Sequence, residues 1–170
     1  KMMEEDGGKK SADAAAAASN ADETEDYTPP PAIAKPAKLD VPEDLEAEEI
    51  YRTAYKALTN ADYNKAIQWF ETSTERYNVG ETVENAYHWL GEIHLVENNP
   101  TAAIVALKNG ITKFPASTKV PSYLQKMGEA FVALNKKGHA KSVWEKLLKD
   151  HSGSPEAAQV QPKLEALLAE

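Results

Sequence analysis

Residues 81–113, ETVENAYHWLGEIHLVENNPTAAIVALKNGITK, hold the arrangement that decides the fold. One apolar run at helical spacing carries Leu90-Gly91-Glu92, the turn Asn98-Asn99-Pro100 interrupts it, and a second run carries Ala103 and Leu107. The same pattern recurs 37 residues away on either side: Ala66, Ala103 and Ala140 share a register, as do Phe70, Leu107 and Trp144, then Tyr77, Phe114 and His151. Gly91 and Gly128 are likewise one period apart, preceded by Leu90 or Met127 and followed by Glu92 or Glu129, with Ala54 as the small residue of the first copy. Glycine inside a helix costs roughly 1 kcal/mol against alanine, so two of them in register argue for close helix packing. A period of this size is the mark of stacked helical hairpins, each burying its apolar stripe only against its neighbours. The inner surface of such a stack is free to hold something, and a binding protein is the reading to start from.

Seven helices are predicted. They cover Glu43 to Thr59, Tyr63 to Tyr77, Glu81 to Glu97, Pro100 to Lys113, Lys119 to Asn135 and Gly138 to Asp150, followed by a last helix capped by Ser154 with Pro155 in its first turn. The last helix, which includes Leu164, Leu167 and Leu168, has no hairpin partner and is expected to cap the stack.

Residues 1–43 are of different material. Gly7-Gly8, the alanine run 14–18, Pro29-Pro30-Pro31, Pro36 and Pro42 leave almost no large apolar side chain, so this arm is expected to be disordered or extended, or ordered only on a partner. Its segment from Pro29 to Pro42 favours polyproline II and suits a semi-rigid spacer. Ten carboxylates against five lysines give the arm a net charge of -5, leaving -3 of the total -8 for residues 44–170. Neither part offers the basic stripe that nucleic acid or an anionic membrane surface requires. No apolar run approaches the roughly 20 residues of a membrane span. The chain has no cysteine, which excludes disulfides and thiolate metal sites and removes the residue that carries lipid in a mature bacterial lipoprotein. The start Lys1-Met2-Met3 reads as a processed or partial product.

Leu90-Gly91, Ala103, Leu107 and Pro115 resemble a tetratricopeptide repeat, and Asp62 to Phe70 resembles the turn and second helix of one. Within that class, Asn85-Ala86-Tyr87-His88-Trp89-Leu90-Gly91-Glu92 and Ser152-Gly153-Ser154-Pro155-Glu156-Ala157-Ala158 are similar to the Tol-Pal-associated periplasmic proteins that coordinate cell division and bind TolA. The likeness covers about residues 48–170. It implies an all-α, tetratricopeptide-like superhelix of three 37-residue hairpins plus a capping helix, over residues 44–170. It further implies a periplasmic scaffold with no catalytic residues and no cofactor, whose partner is TolA-like or a peptidoglycan-synthesis protein. The chain departs from that family in having no heptad pattern in residues 1–43, and in Asn78 and Ser152 at the repeat-closing position where only Pro115 keeps the proline. The alternative reading is a structural or assembly subunit of a larger envelope machine, tethered to neighbouring subunits through the arm and compatible with an oligomer.

If the first helix of each hairpin lines the concave side, as in the repeat it resembles, one register points Tyr51, Tyr55 and Leu58 inward from the first hairpin. From the second it points Asn85, His88, Glu92 and Leu95, and from the third Ser122, Gln125, Glu129 and Val132. These positions form either a groove for an extended or helical peptide or a solvated face. Glu92 and Glu129 are of a kind to pair with lysines of a partner or to serve solubility alone. Catalysis and metal binding find little support. His88 and Glu92 share a helix face, but His94 is turned roughly 160° from Glu92. His94 is expected to be a partly buried core residue and His139 to lie on an outer face, while Trp69, Trp89 and Trp144 read as core or seam residues. No nucleophile stands beside a base, and no glycine-rich phosphate loop follows a strand.

Overall fold

A computed structural model describes residues 39–169 of the chain. Seven helices and no strand occur among the described residues: α1 (Ala47–Thr59), α2 (Tyr63–Arg76), α3 (Glu81–Val96), α4 (Pro100–Lys113), α5 (Val120–Ala133), α6 (Lys137–Asp150) and α7 (Pro155–Leu168). The helices pair as the hairpins α1–α2, α3–α4 and α5–α6, each hairpin packs on the next, and α7 closes on α5 and α6.

The turn inside each hairpin is the same structure three times. Ala61, Asn98 and Asn135, one period apart, all take left-handed backbone with φ of 57°, 55° and 57°. In each turn the following amide bonds back five residues, Asp62 N–H to Ala57 O, Asn99 N–H to His94 O and Lys136 N–H to Phe131 O, which is the Schellman closure. The Asp62 and Asn99 side chains then cap the next helix by accepting from Lys65 N–H and Ala102 N–H. Alanine is the least suited of the three residues to left-handed backbone. Ala61→Gly is therefore expected to stabilise the domain by about 0.5–1 kcal/mol, and Asn98→Ala to destabilise it by a similar amount. Urea unfolding reads both, and an unchanged midpoint for Ala61→Gly contradicts the strain argument.

The predicted start of α1 at Glu43 is four residues early. Arg76 explains the difference, because its guanidinium donates to the carbonyls of Pro42 and Val41 at 2.6 Å each, while the Tyr77 hydroxyl donates to Leu45 O at 2.6 Å. Those carbonyls are held by side chains of α2 and its C-cap, so the chain makes a turn at Glu43-Asp44 and stays non-helical through Glu46 before α1 begins. Val41 is buried in this approach, which places residues 39–43 against the helices, on the arm side of the expected boundary at 43/44. The expectations for the rest of the arm fall on residues 1–38, outside the described residues. At the other end Ser154 accepts from Ala157 N–H and Pro155 opens α7, as their order in the sequence predicts.

Two apolar clusters fill the stack and share α3 between them. Ala54, Ala57, Ala66 and Phe70 of the first hairpin pack with Ala86, Leu90 and Ile93 of α3. Val83 and Tyr87, from another face of α3, join Leu107, Tyr123, Leu124, Trp144, Leu147, Val160 and Leu164. The helical glycines act as close-packing sites: a Cβ on Gly91 would stand 2.5 Å from Leu107, and one on Gly128 would overlap the Trp144 indole. Gly110 does the same between hairpins, with Tyr87 and Tyr123 at 3.0 and 3.1 Å from its missing Cβ. Polar ties follow the same seams. Lys113 Nζ donates to Thr74 O and Tyr77 O at 3.2 Å, capping the end of α2 with a cation, and the Tyr123 hydroxyl donates to Glu84 O at 2.7 Å.

The capping role of α7 has a residue-level cause. Leu164 follows Leu90 and Met127 in register and is buried, but the next position, glycine in α3 and α5, is Glu165. That carboxylate is exposed and accepts from Gln161 Nε2 at 2.7 Å. A hairpin partner cannot close over α7 as it does over α3 and α5.

Candidate functional site

The first helices of the hairpins stand side by side: α1 touches α3, α3 touches α5, and α5 touches α7. The second helices α2, α4 and α6 make no such contacts with one another among the described residues. The row α1, α3, α5, α7 is therefore the tighter, inner wall of the stack. It carries the eleven positions nominated from the sequence, eight of them half-buried and the others divided between exposed and closed off.

Its N-terminal end is aromatic. Tyr51 lies against Phe70, at 5.7 Å between centroids, and stacks on Tyr55 at 6.2 Å. Tyr55, 43% exposed, tilts onto Trp89 at 5.6 Å, and Trp89 meets the edge of His88 at 5.1 Å. The Trp89 indole N–H donates to the Tyr51 hydroxyl at 2.9 Å, which locks α3 to α1. Burial pushes the Tyr51 phenol above its ordinary range; the Trp89 bond opposes this, and Tyr55, Glu48 and Glu81 add to it. Leu58 is half-buried against the first apolar cluster.

Further along, the wall becomes a chain of charges that neutralise one another. Lys126 bonds Glu92 at 2.9 Å and Glu129 at 3.3 Å, and Lys163 of α7 reaches Glu129 at 2.5 Å. Burial pulls the Lys126 ammonium down, but the two carboxylates outweigh it and leave its pKa raised. Glu92 and Glu129 are thus already paired within the chain, where the sequence left open either pairing with lysines of a partner or solubility alone. The reason is tertiary: Lys126 and Lys163 come from helices brought alongside by stacking. His88 Nδ1 meets Ser122 Oγ at 3.1 Å, and its Nε2 is 3.9 Å from Glu92.

Gln125 departs from the groove reading altogether. It is buried, its Nε2 donates to Gln159 Oε1 on α7 at 2.9 Å, and its backbone oxygen accepts from Trp144 Nε1 at 3.1 Å. The capping helix covers it, so it serves the α5–α7 seam. Asn85, Leu95 and Ser122 are half-buried on the wall, and Val132 is 40% exposed. Glu129 and Val132 also border an open cleft of about 640 Å³ at the far end, with Trp144, Lys163, Ala166 and Leu167 among its other walls.

Three wall residues escaped the sequence reading: Trp89, assigned only to a core or seam, and the lysines 126 and 163. Arg52, Trp89, Lys126 and Lys163 share one register, a residue after the nominated Tyr51, His88 and Gln125, so widening the inner stripe by one position and carrying it into the last helix finds all three. His94 is half-buried as expected, His139 is exposed and stacks on Phe131 at 5.1 Å, and Trp144 is buried. No cluster of three or more metal-ligating side chains, and no helix long and apolar enough to cross a membrane, occurs among the described residues.

The histidines give the wall a pH dependence. Burial lowers the pKa of His88 below the ordinary 6.5, with Glu92 opposing and Lys119 and Lys126 assisting, and burial alone lowers that of His94. The unfolded chain takes up these protons first, so the stability they support is complete above 6.5 and is lost as pH falls through that value toward the folded pKa values. The denaturation midpoint is expected to fall between about pH 7.5 and pH 5.5, and to fall less in the double variant His88→Asn, His94→Asn.

The family profile described as YfiO, outer membrane lipoprotein, matches residues 43–127, half of the chain. No curated protein matches it. Among solved structures, the first tetratricopeptide-repeat domain of Spaghetti (RPAP3) bound to an HSP90 peptide is 16% identical at a TM-score of 0.60, covering 73% of this chain and 94% of that one. The N-terminal domain of stress-induced protein-1 from C. elegans is 16% identical at a TM-score of 0.61, covering 71% and 93%. The first such domain of human RPAP3 is 18% identical at 0.59, covering 72% and 92%. The helical stack is a tetratricopeptide-like superhelix.

Proposed function

The chain belongs to the family of the outer membrane lipoprotein YfiO, and from that membership we propose that it is a non-catalytic scaffold of the bacterial envelope that receives a segment of a partner protein on its inner wall. The observation that carries the reading is the wall itself: a continuous aromatic row from α1 to α3, exposed at Tyr55, followed by a rigid, internally paired polar strip. A wall fixed by hydrogen bonds between its own helices loses little freedom when a partner docks. The structural neighbour from Spaghetti carries a bound peptide, which supports the same use of the fold here.

Family membership supports a role as a structural or assembly subunit at the outer membrane, facing the periplasm. A Tol-Pal role in cell division is the second reading and rests on the resemblance of residues 85–92 and 152–158. Capture from native envelope with the tagged full chain tests both. A wall variant, Tyr55→Ser with Val132→Asp, is expected to lose the partner, and an outer-face variant, Val105→Ser with Lys108→Glu, to keep it. Outer-membrane assembly proteins in the captured material support the first reading, and TolA or cell-wall synthases the second. Loss in the outer-face variant alone overturns the use of the wall.

A further inference from the structure

Each pair of neighbouring helices in the inner wall is joined by side chains 34 residues apart. Tyr55 meets Trp89 between α1 and α3, Glu92 meets Lys126 between α3 and α5, and Glu129 meets Lys163 between α5 and α7. Beside these contacts His88 meets Ser122, and Gln125 meets Gln159. The register of His88 is held by Tyr51 on α1 and by Gln125 on α5, so the imidazole falls at the α3–α5 junction. There its Nε2 lies 3.9 Å from Glu92 Oε1, the same oxygen that Lys126 bonds at 2.9 Å. The more distant charges facing His88 are one of each sign, Lys119 at the start of α5 and Glu156 on α7. Glu84, one turn earlier on α3, is bonded to Ser117. From α1 come the phenols of Tyr51 and Tyr55, both against Trp89, which His88 meets edge-on. His94 lies on the opposite side of α3 from Glu92.

We propose that His88 is a pH-operated switch in the wall: once protonated, it competes with Lys126 for Glu92 Oε1 and leaves the polar strip one cation in excess. With His88 neutral, the strip holds two carboxylates, Glu92 and Glu129, against two ammonium groups, Lys126 and Lys163. Protonation turns the approach of Nε2 to Glu92 into an ion pair, and charge-assisted bonds are the stronger ones. Lys126 then has Glu129, already at 3.3 Å, to fall back on. Ser122 suits both states, because its hydroxyl donates to an unprotonated Nδ1 and accepts from a protonated one. Burial of the ring, which lowers its pKa below 6.5, sets the switch on the acid side of neutrality. The switch belongs to the wall itself and does not depend on a partner docking there.

The test follows the imidazole resonances of the full chain, labelled with nitrogen-15, between about pH 8 and pH 4.5. His88 is assigned through His88→Asn and the Trp89 indole through Trp89→Phe. His88 is expected to titrate with a midpoint below 6.5, and the Trp89 indole N–H to shift with the same midpoint. Lys126→Met removes the competitor for Glu92 and is expected to raise the His88 midpoint by about one pH unit. Glu92→Gln removes the carboxylate and is expected to lower it by about as much. Lys126→Gln replaces Lys126→Met should that variant not fold. In His88→Asn the Trp89 shift is expected to vanish. A midpoint left in place by either substitution, no titration of His88 in the range, or a Trp89 shift that persists in His88→Asn overturns the proposal. None of these readings involves a partner, so failure of the switch and failure of the docking wall are told apart.

Discussion

Replacing Gly128 by alanine is expected to lower the unfolding free energy by about 2–3 kcal/mol, because the new methyl group overlaps the indole of Trp144. Trp144 is buried, and its N–H is committed to Gln125 O across the α5–α6 interface, so the ring cannot move without giving up that bond. Alanine regains about 1 kcal/mol of helix propensity, which the overlap exceeds. At Gly91 the neighbour is the branched end of Leu107, a smaller and more adaptable group, and the same substitution is expected to cost about 1–2 kcal/mol. Gly138 has nothing within 4 Å of its missing Cβ, which makes Gly138→Ala the control, neutral or stabilising. Guanidinium unfolding of the three variants orders them. Adding Trp144→Leu to Gly128→Ala is expected to recover part of the loss; if the double variant is no better than the sum of the singles, the overlap is not the cause.

Phe70→Ala is expected to cost about 3–5 kcal/mol, and to act on one end of the molecule. Phe70 is fully buried in the cluster that joins the first hairpin to α3, and the Tyr51 ring rests on it. In a stack each hairpin is held by its own packing and that of its neighbours, and domain stabilities are commonly about 5–15 kcal/mol, so a loss of this size opens the first hairpin ahead of the rest. Hydrogen exchange is expected to show α1 and α2 losing protection while α5, α6 and α7, which pack in the other cluster, retain it. Uniform loss along all seven helices means that the two clusters unfold as one. The same variant disturbs Tyr51 and its bond from Trp89, so the aromatic end of the wall loses its form with the hairpin.

Those two residues also show what could be read in advance. The register of Phe70, Leu107 and Trp144 against Ala54, Gly91 and Gly128 is visible in the bare sequence, since a repeat whose large and small residues alternate at fixed spacing has few ways to pack. The helix ends were legible within one or two residues except at α1, where the decisive atoms are the Arg76 guanidinium and the Tyr77 hydroxyl, more than thirty residues away in sequence. The three left-handed turn residues were legible in principle, being one period apart, but alanine at position 61 hides the signal that asparagine gives at 98 and 135.

The inner wall divides in the same way. Helical periodicity alone chooses the stripe from Tyr51 to Val132, because side chains three, four and seven residues apart must share a face. Whether a side chain on that stripe meets solvent or its neighbour depends on what the adjacent helix brings. Gln125 is sealed by Gln159, Glu129 is neutralised by Lys163, and Tyr55 is left open beside Trp89. Spacing within one segment was enough to read the hairpin repeat, the capping helix and the stripe of residues that shares one face of each first helix. Which residues of that stripe are paired, covered or free was settled by the packing of the helices, because burial and charge pairing depend on partners that the fold alone brings within reach.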